Sequence, residues 1–283
     1  VMNGWGYQIK LYNNNDLEIT GKILDYDYPI EIPLSWFLIG YLHQEPYPIN
    51  EMVSAIVNND NLLIIKDYLG NIYWPALGIN SIGLMSPGQG YQIKLIQNEE
   101  TFFYPESENG RYNYDFDYYP HINQFNNPIN TGNNMTLAIP EESWNNPPNI
   151  GDQIIAYDNS GLIVGYTLYS EKASAITIWG DDKTTEGKDG VYIGAKFKLK
   201  LWDNEKNSLK DINVLNWQQG SDNYSIDGIS IAGQISQVEI LNRQVVKITD
   251  IIGREIKENT KRNIFLIRGR MLNEINFLKE SCY

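Results

Sequence analysis

The chain has 283 residues, 22 Lys+Arg against 35 Asp+Glu and a formal net charge of −13. That balance argues against a nucleic-acid binder, because phosphate contacts need clustered Lys and Arg. One Cys and two His exclude an intrachain disulfide framework and a Cys-rich zinc centre, while 42% hydrophobic residues support real cores for two ordinary domains.

The opening, Val1-Met2-Asn3-Gly4-Trp5-Gly6, reads neither as a signal peptide nor as an ordinary initiation site, so a piece of something longer is expected. Residues 4–11 (GWGYQIKL) recur as residues 88–95 (GQGYQIKL), with GYQIKL identical in both. Residues 1–20 therefore read as the end of an upstream repeat unit, and residues 21–105 as one complete α+β unit in a tandem array.

Within that unit, residues 34–43 are apolar and β-prone. Asn50 is expected to cap a short helix with Met52, Val53, Ile56 and Val57 on one face. Residues 62–66 read as a strand, and Leu69-Gly70-Asn71 turns it into Ile72-Tyr73-Trp74. A last strand is expected over residues 90–96. Residues 106–129 form an aromatic, acidic linker. Together with Tyr104, the tyrosines Tyr112, Tyr114, Tyr118 and Tyr119 suggest a platform for stacking on sugar rings, or else packing between domains.

From residue 130 to 235, short strands alternate with turn residues. The expected strands are 134–139, 153–158, 162–169, 174–179, 196–202, 210–217 and 224–232. Seven strands at this spacing predict an antiparallel β-sandwich. Trp144, before Pro147-Pro148, is expected to plug one edge. The last part, residues 236–283, changes sign. Residues 243–283 hold nine basic and five acidic side chains, and only Arg111 of six Arg precedes them. They read as a separate short C-terminal β module, so the fold class is mainly β with one small α+β repeat.

The strongest candidate for chemistry is the loop over residues 179–190. It gathers Asp181, Asp182, Glu186 and Asp189 with two Thr and three Gly. Calcium takes six to eight oxygens from such loops, and Asp152 or Asp158 would supply more. The competing reading is an acidic loop whose Asp and Gly simply make turns. Trp179 is a further candidate for sugar contact, against the reading that it is core. Nucleophilic catalysis has little support: no G-x-S-x-G elbow is present, Cys282 is penultimate, and neither His43 nor His121 is an obvious partner. An enzyme is not expected.

Several segments together resemble a known family. They are Trp36, Ile39-Gly40-Tyr41, Ile65-Lys66-Asp67, Gly70-Asn71-Ile72-Tyr73-Trp74-Pro75, Gly78-Ile79-Asn80 and Pro87-Gly88-Gln89-Gly90-Tyr91-Gln92. These are similar to a repeat of secreted surface proteins of Bacteroidota. Gly132-Asn133-Asn134-Met135-Thr136, Ala175-Ile176-Thr177-Ile178-Trp179-Gly180-Asp181-Asp182 and Lys200-Leu201-Trp202 look like the β-sandwich that often follows. Val246-Lys247-Ile248-Thr249-Asp250-Ile251-Ile252-Gly253-Arg254-Glu255 is similar to the C-terminal sorting domain of type IX secretion cargo. The resemblance implies export through secretion machinery that recognises the C-terminal module, and an extracellular or cell-surface location. The function expected is non-enzymatic adhesion or display, with a glycan or surface partner and no nucleic acid or membrane span. The alternatives are a structural spacer in a tandem array, or an accessory module of an extracellular enzyme or viral appendage.

Overall fold

The computed structural model describes residues 2–11, 18, 20–106 and 127–238. The chain through Val238 forms one compact unit, mainly β, built from two domains.

In the first domain the strands are short. They are β1 (Ile30–Ile32), β2 (Phe37–Gly40), β3 (Tyr47–Pro48), β4 (Leu62–Lys66), β5 (Ile72–Trp74), β6 (Ile79–Asn80), β7 (Leu84–Met85), β8 (Gly90–Leu95) and β9 (Glu100–Phe102). Five of them form one sheet in the order β2-β8-β4-β5-β6. Two antiparallel pairs, β1 with β9 and β3 with β7, close its ends. Strand β8 lies between β2 and β4, and its alternation puts Tyr91, Ile93 and Leu95 into the core. The helix exists but departs from expectation. It breaks at Val53 into α1 (Ile49–Met52) and α2 (Ser54–Asn58), and the capping position is held by Pro48, not Asn50. Pro48 has no side-chain acceptor to offer the first free N–H groups, so the helix starts without a side-chain cap. Met52, Val53 and Ile56 pack under the sheet as expected.

The second domain is a sandwich of two sheets. One has the order β13-β10-β17-β16, from β10 (Asn134–Ile139), β13 (Ser174–Trp179), β16 (Trp217–Gln219) and β17 (Ile229–Ala232). The other has the order β12-β11-β14-β15-β18, from β11 (Gln153–Tyr157), β12 (Ile163–Leu168), β14 (Lys198–Asp203), β15 (Ser208–Val214) and β18 (Ile235–Val238). All pairings are antiparallel except β10 with β17, which is parallel. The expected strand at 210–217 is two strands, because the chain leaves one sheet after Val214 and enters the other at Trp217. Strand β18 pairs with β15 across the expected domain limit, so the compact unit ends after Val238 rather than at residue 235. Trp144 is buried in the sandwich core and bridges Ile235, as an edge plug should.

Strand β10 is buried along its whole length. Met135, Leu137 and Ile139 enter the sandwich core. Ala138, on the opposite face, joins a second apolar cluster with Ile64, Ile72, Trp74 and Ile79 of the first domain. Ala175, Ile229 and Ile231 border that cluster. The small Ala side chains let the two sheets approach closely. Polar ties surround the contact: Lys66 Nζ donates to Asn134 Oδ1 at 2.7 Å, Trp36 Nε1 to the Asp227 carbonyl at 2.8 Å, and Thr177 Oγ1 to the Gly70 carbonyl at 2.7 Å.

Candidate functional site

The acidic loop follows β13. Its base is stapled by Asp181 N–H to the Val191 carbonyl (2.9 Å) and Val191 N–H to the Trp179 carbonyl (3.0 Å). Inside the loop the carboxylates accept from the loop itself. Asp189 Oδ1 takes the Asp182 N–H at 2.8 Å and Oδ2 takes the Thr185 hydroxyl at 2.8 Å. Asp182 Oδ1 takes the Thr184 N–H and hydroxyl, and its Oδ2 pairs with Lys10. Asp181 Oδ1 takes the Asp189 N–H at 3.1 Å. Glu186 is exposed.

The neighbouring carboxylates are engaged in the same way. Asp152 accepts from Asn149 N–H and Asn204 N–H. Asp158 accepts from Ser160 and Leu162 and pairs with Lys188. Burial alone would raise the Asp158 carboxyl, but the bonds from Lys188 and Ser160 outweigh it and hold it below the usual range.

A calcium site needs several oxygens free to converge on one point. Among the described residues no group of three His, Cys, Asp or Glu side chains does so. Asp181, Asp182 and Asp189 accept from donors of their own loop, and Glu186 is exposed. The aromatic candidates also change role. Trp179 is buried, with its ring against Gly70 of the first domain, so it offers no face to a sugar. Tyr104 is core, edge-on to Phe102 at 4.7 Å and to Tyr41 at 5.5 Å. Burial pushes its phenol far above the usual range. His43 is packed among Tyr26, Tyr41, Tyr47 and Tyr104, with Nε2 3.0 Å from the Pro105 carbonyl. Tyr112, Tyr114, Tyr118, Tyr119, His121 and Cys282, and the sorting-type residues from 239 onward, lie outside the described residues.

One cavity of about 380 Å³ lies on the sandwich, lined by Glu141, Glu142, Trp144, Pro147 and Tyr169. Pro140 starts a short 3-10 turn over Glu141–Ser143, and the Ser143 hydroxyl fixes it to the Ala232 carbonyl at 3.2 Å. The turn leaves both Glu exposed and swings Trp144 inward. Trp144 and Tyr169 meet edge-on at 6.1 Å. Trp144 is 7% exposed, and its indole N–H has no acceptor among the described residues. A buried donor left unsatisfied costs about 1–3 kcal/mol. Burial, then the charges of Glu141 and Glu171, push the Tyr169 phenol up, so the wall remains a neutral ring at physiological pH.

No family model, curated protein or solved structure matches the chain.

Sequence reasoning missed this cavity apart from Trp144. The signal was Pro140-Glu141-Glu142-Ser143-Trp144 followed by Pro147-Pro148, in which prolines fix a turn that places two carboxylates beside an indole.

Proposed function

We propose that the chain is a non-enzymatic module of a secreted or cell-surface protein, serving adhesion or display through a glycan contact at the Glu141–Tyr169 cavity. The observation that carries this reading is the cavity in which two exposed carboxylates, Glu141 and Glu142, stand beside the Trp144 and Tyr169 rings. Sugars present both hydroxyl donors and acceptors with apolar ring faces. Glu141 and Glu142 would accept from hydroxyls, with the largely buried Trp144 and Tyr169 rings as the apolar floor beside them. The paired carboxylates select neutral or amino sugars over uronic and sialic acids. Export by a type IX-like route, with secretion machinery as the partner of the C-terminal module, follows from the resemblance of residues 246–255 to a sorting domain.

The test is a glycan array probed with the full chain, in calcium and in chelator, against the Glu141→Gln plus Glu142→Gln variant. Both substitutions are on exposed side chains and leave the fold intact. Binding of neutral or amino sugars at equal strength with and without calcium, and at least about tenfold weaker in the variant, is the expected result. Binding that survives in the variant removes the cavity from the account.

A second reading, a structural spacer in a tandem array, is supported by the apolar cluster joining the two domains. The absence of glycan binding would favour it.

A further inference from the structure

The two copies of the repeat are equivalent in conformation but not in burial. Gly4 and Gly88, 84 positions apart, both take the left-handed conformation, with φ of +74° and +78°. The Met2 N–H donates to the Tyr7 hydroxyl, and at the equivalent positions the Ser86 N–H donates to the Tyr91 hydroxyl. Trp5 N–H reaches the Met2 carbonyl at 3.4 Å, and Gln89 N–H reaches the Ser86 carbonyl at 3.2 Å. The first copy thus already holds the turn that launches β8 in the second.

Both turns flank β2. Gly40 pairs with Gly90 on one edge, while Gly6 N–H donates to the Leu38 carbonyl and Gly40 N–H to the Gly4 carbonyl on the other. The two segments also approach directly: a Cβ on Gly90 would stand 3.4 Å from Gly6 Cα.

The strands that follow differ sharply. In β8, Tyr91, Ile93 and Leu95 are 2%, 0% and 2% exposed, held between β2 and β4 over the helices. Their counterparts Tyr7, Ile9 and Leu11 are 48%, 57% and 54% exposed. Among the described residues, residues 7–11 pair with no strand. The alternate side chains are already engaged with the sandwich, since Lys10 reaches Asp182 and Thr184. Gln92 of the second copy likewise donates to Asp227 at 2.7 Å. The polar face of the first copy is therefore spoken for, and its apolar face is open.

We propose that residues 7–11 are the central strand of another repeat unit, and that the partner covering Tyr7, Ile9 and Leu11 is a second α+β unit. That unit supplies strands equivalent to β2 and β4 and a helix equivalent to α1 and α2. The identity of GYQIKL fixes the partner's chemistry, because the same six residues are buried by those elements in the complete unit. A second copy of this whole chain does not fit, because its own β8 fills the slot. The inference deepens the spacer reading: successive units would share a strand and a β2 edge, giving a continuous array.

The test joins an extra copy of residues 21–84 directly ahead of Val1, which restores the repeat spacing. Hydrogen exchange is followed in the original and the extended chain. The expected result is slowing at residues 7–11 by at least about 100-fold on extension, as for an amide entering a core strand. Ile9→Asp should restore fast exchange in the extended chain and leave the melting temperature of the original chain unchanged. Unchanged exchange at residues 7–11, or an added copy that stays unfolded, overturns the proposal. So does concentration-dependent self-association of the original chain that Ile9→Asp abolishes, because the occupant would then be a second copy of the chain. None of these outcomes bears on glycan binding, which decides between display and spacer separately.

Discussion

Lys66 gives the sharpest test of how the two domains are held together. Its ammonium is 1% exposed, bonded to Asn134 Oδ1 and 4.2 Å from the centre of the Trp36 ring. Asp227 stands 3.9 Å away. Burial dominates and Asp227 only partly offsets it, so the ammonium is pushed down to about 8 from 10.5. The sign follows from which state holds the proton more tightly. Below the folded value both states are protonated and the charged fold carries its full penalty. Between the two values the folded chain has lost its proton and the unfolded chain has not, so stability rises with pH. From these two values the gain between about pH 7.5 and about pH 9.5 is about 2 kcal/mol. Above pH 10 the buried phenols of Tyr41, Tyr104 and Tyr224 act oppositely, because they ionise more readily in the unfolded chain. The assay is urea unfolding across that window for the native chain and for Lys66→Met. The native chain should gain stability with pH, and the Met variant should stay flat within about 0.5 kcal/mol. A rise of equal size in both would refute the assignment to Lys66, and no rise in either would refute the buried charge.

Two further outcomes follow from the loops. Asp181→Ala plus Asp189→Ala removes acceptors for buried N–H and hydroxyl donors and should cost about 1–3 kcal/mol, with the same loss in calcium and in chelator; a loss seen only in calcium would restore a metal to the loop. Gly70 has φ +88°, and a Cβ there would stand 3.0 Å from Thr177 and Trp179, so Gly70→Ala should cost at least about 1 kcal/mol and lower Tm by roughly 2–6 °C; an unchanged Tm would show that the domain contact is looser than described.

The strands legible in the sequence were those with unambiguous punctuation. Residues 62–66, 134–139 and 174–179 coincide with β4, β10 and β13 because turn residues bound them on both sides. What stayed hidden depended on non-local neighbours. The division of 210–217 between two sheets leaves no mark in the alternation, since Val214 and Trp217 are apolar in either sheet. Trp179 reads as an outward strand position, and it is one, but that face of β13 is covered by the first domain. The acidic loop is ambiguous for a chemical reason. Asp beside Thr and Gly is what a calcium loop needs and also what a tight turn needs, and only the direction of the hydrogen bonds separates the two. The cavity was missed because Tyr169 comes from a distant strand end and meets Trp144 only in three dimensions.

The full burial of β10 has a consequence for what happens when the two domains are separated. Cut apart, the sandwich would present Ala138, Ala175, Ile229 and Ile231 to water, and the first domain would present Ile64, Ile72 and Trp74. Each half would carry an adhesive patch with no partner. Separated halves should then re-associate when mixed, or self-associate when kept apart.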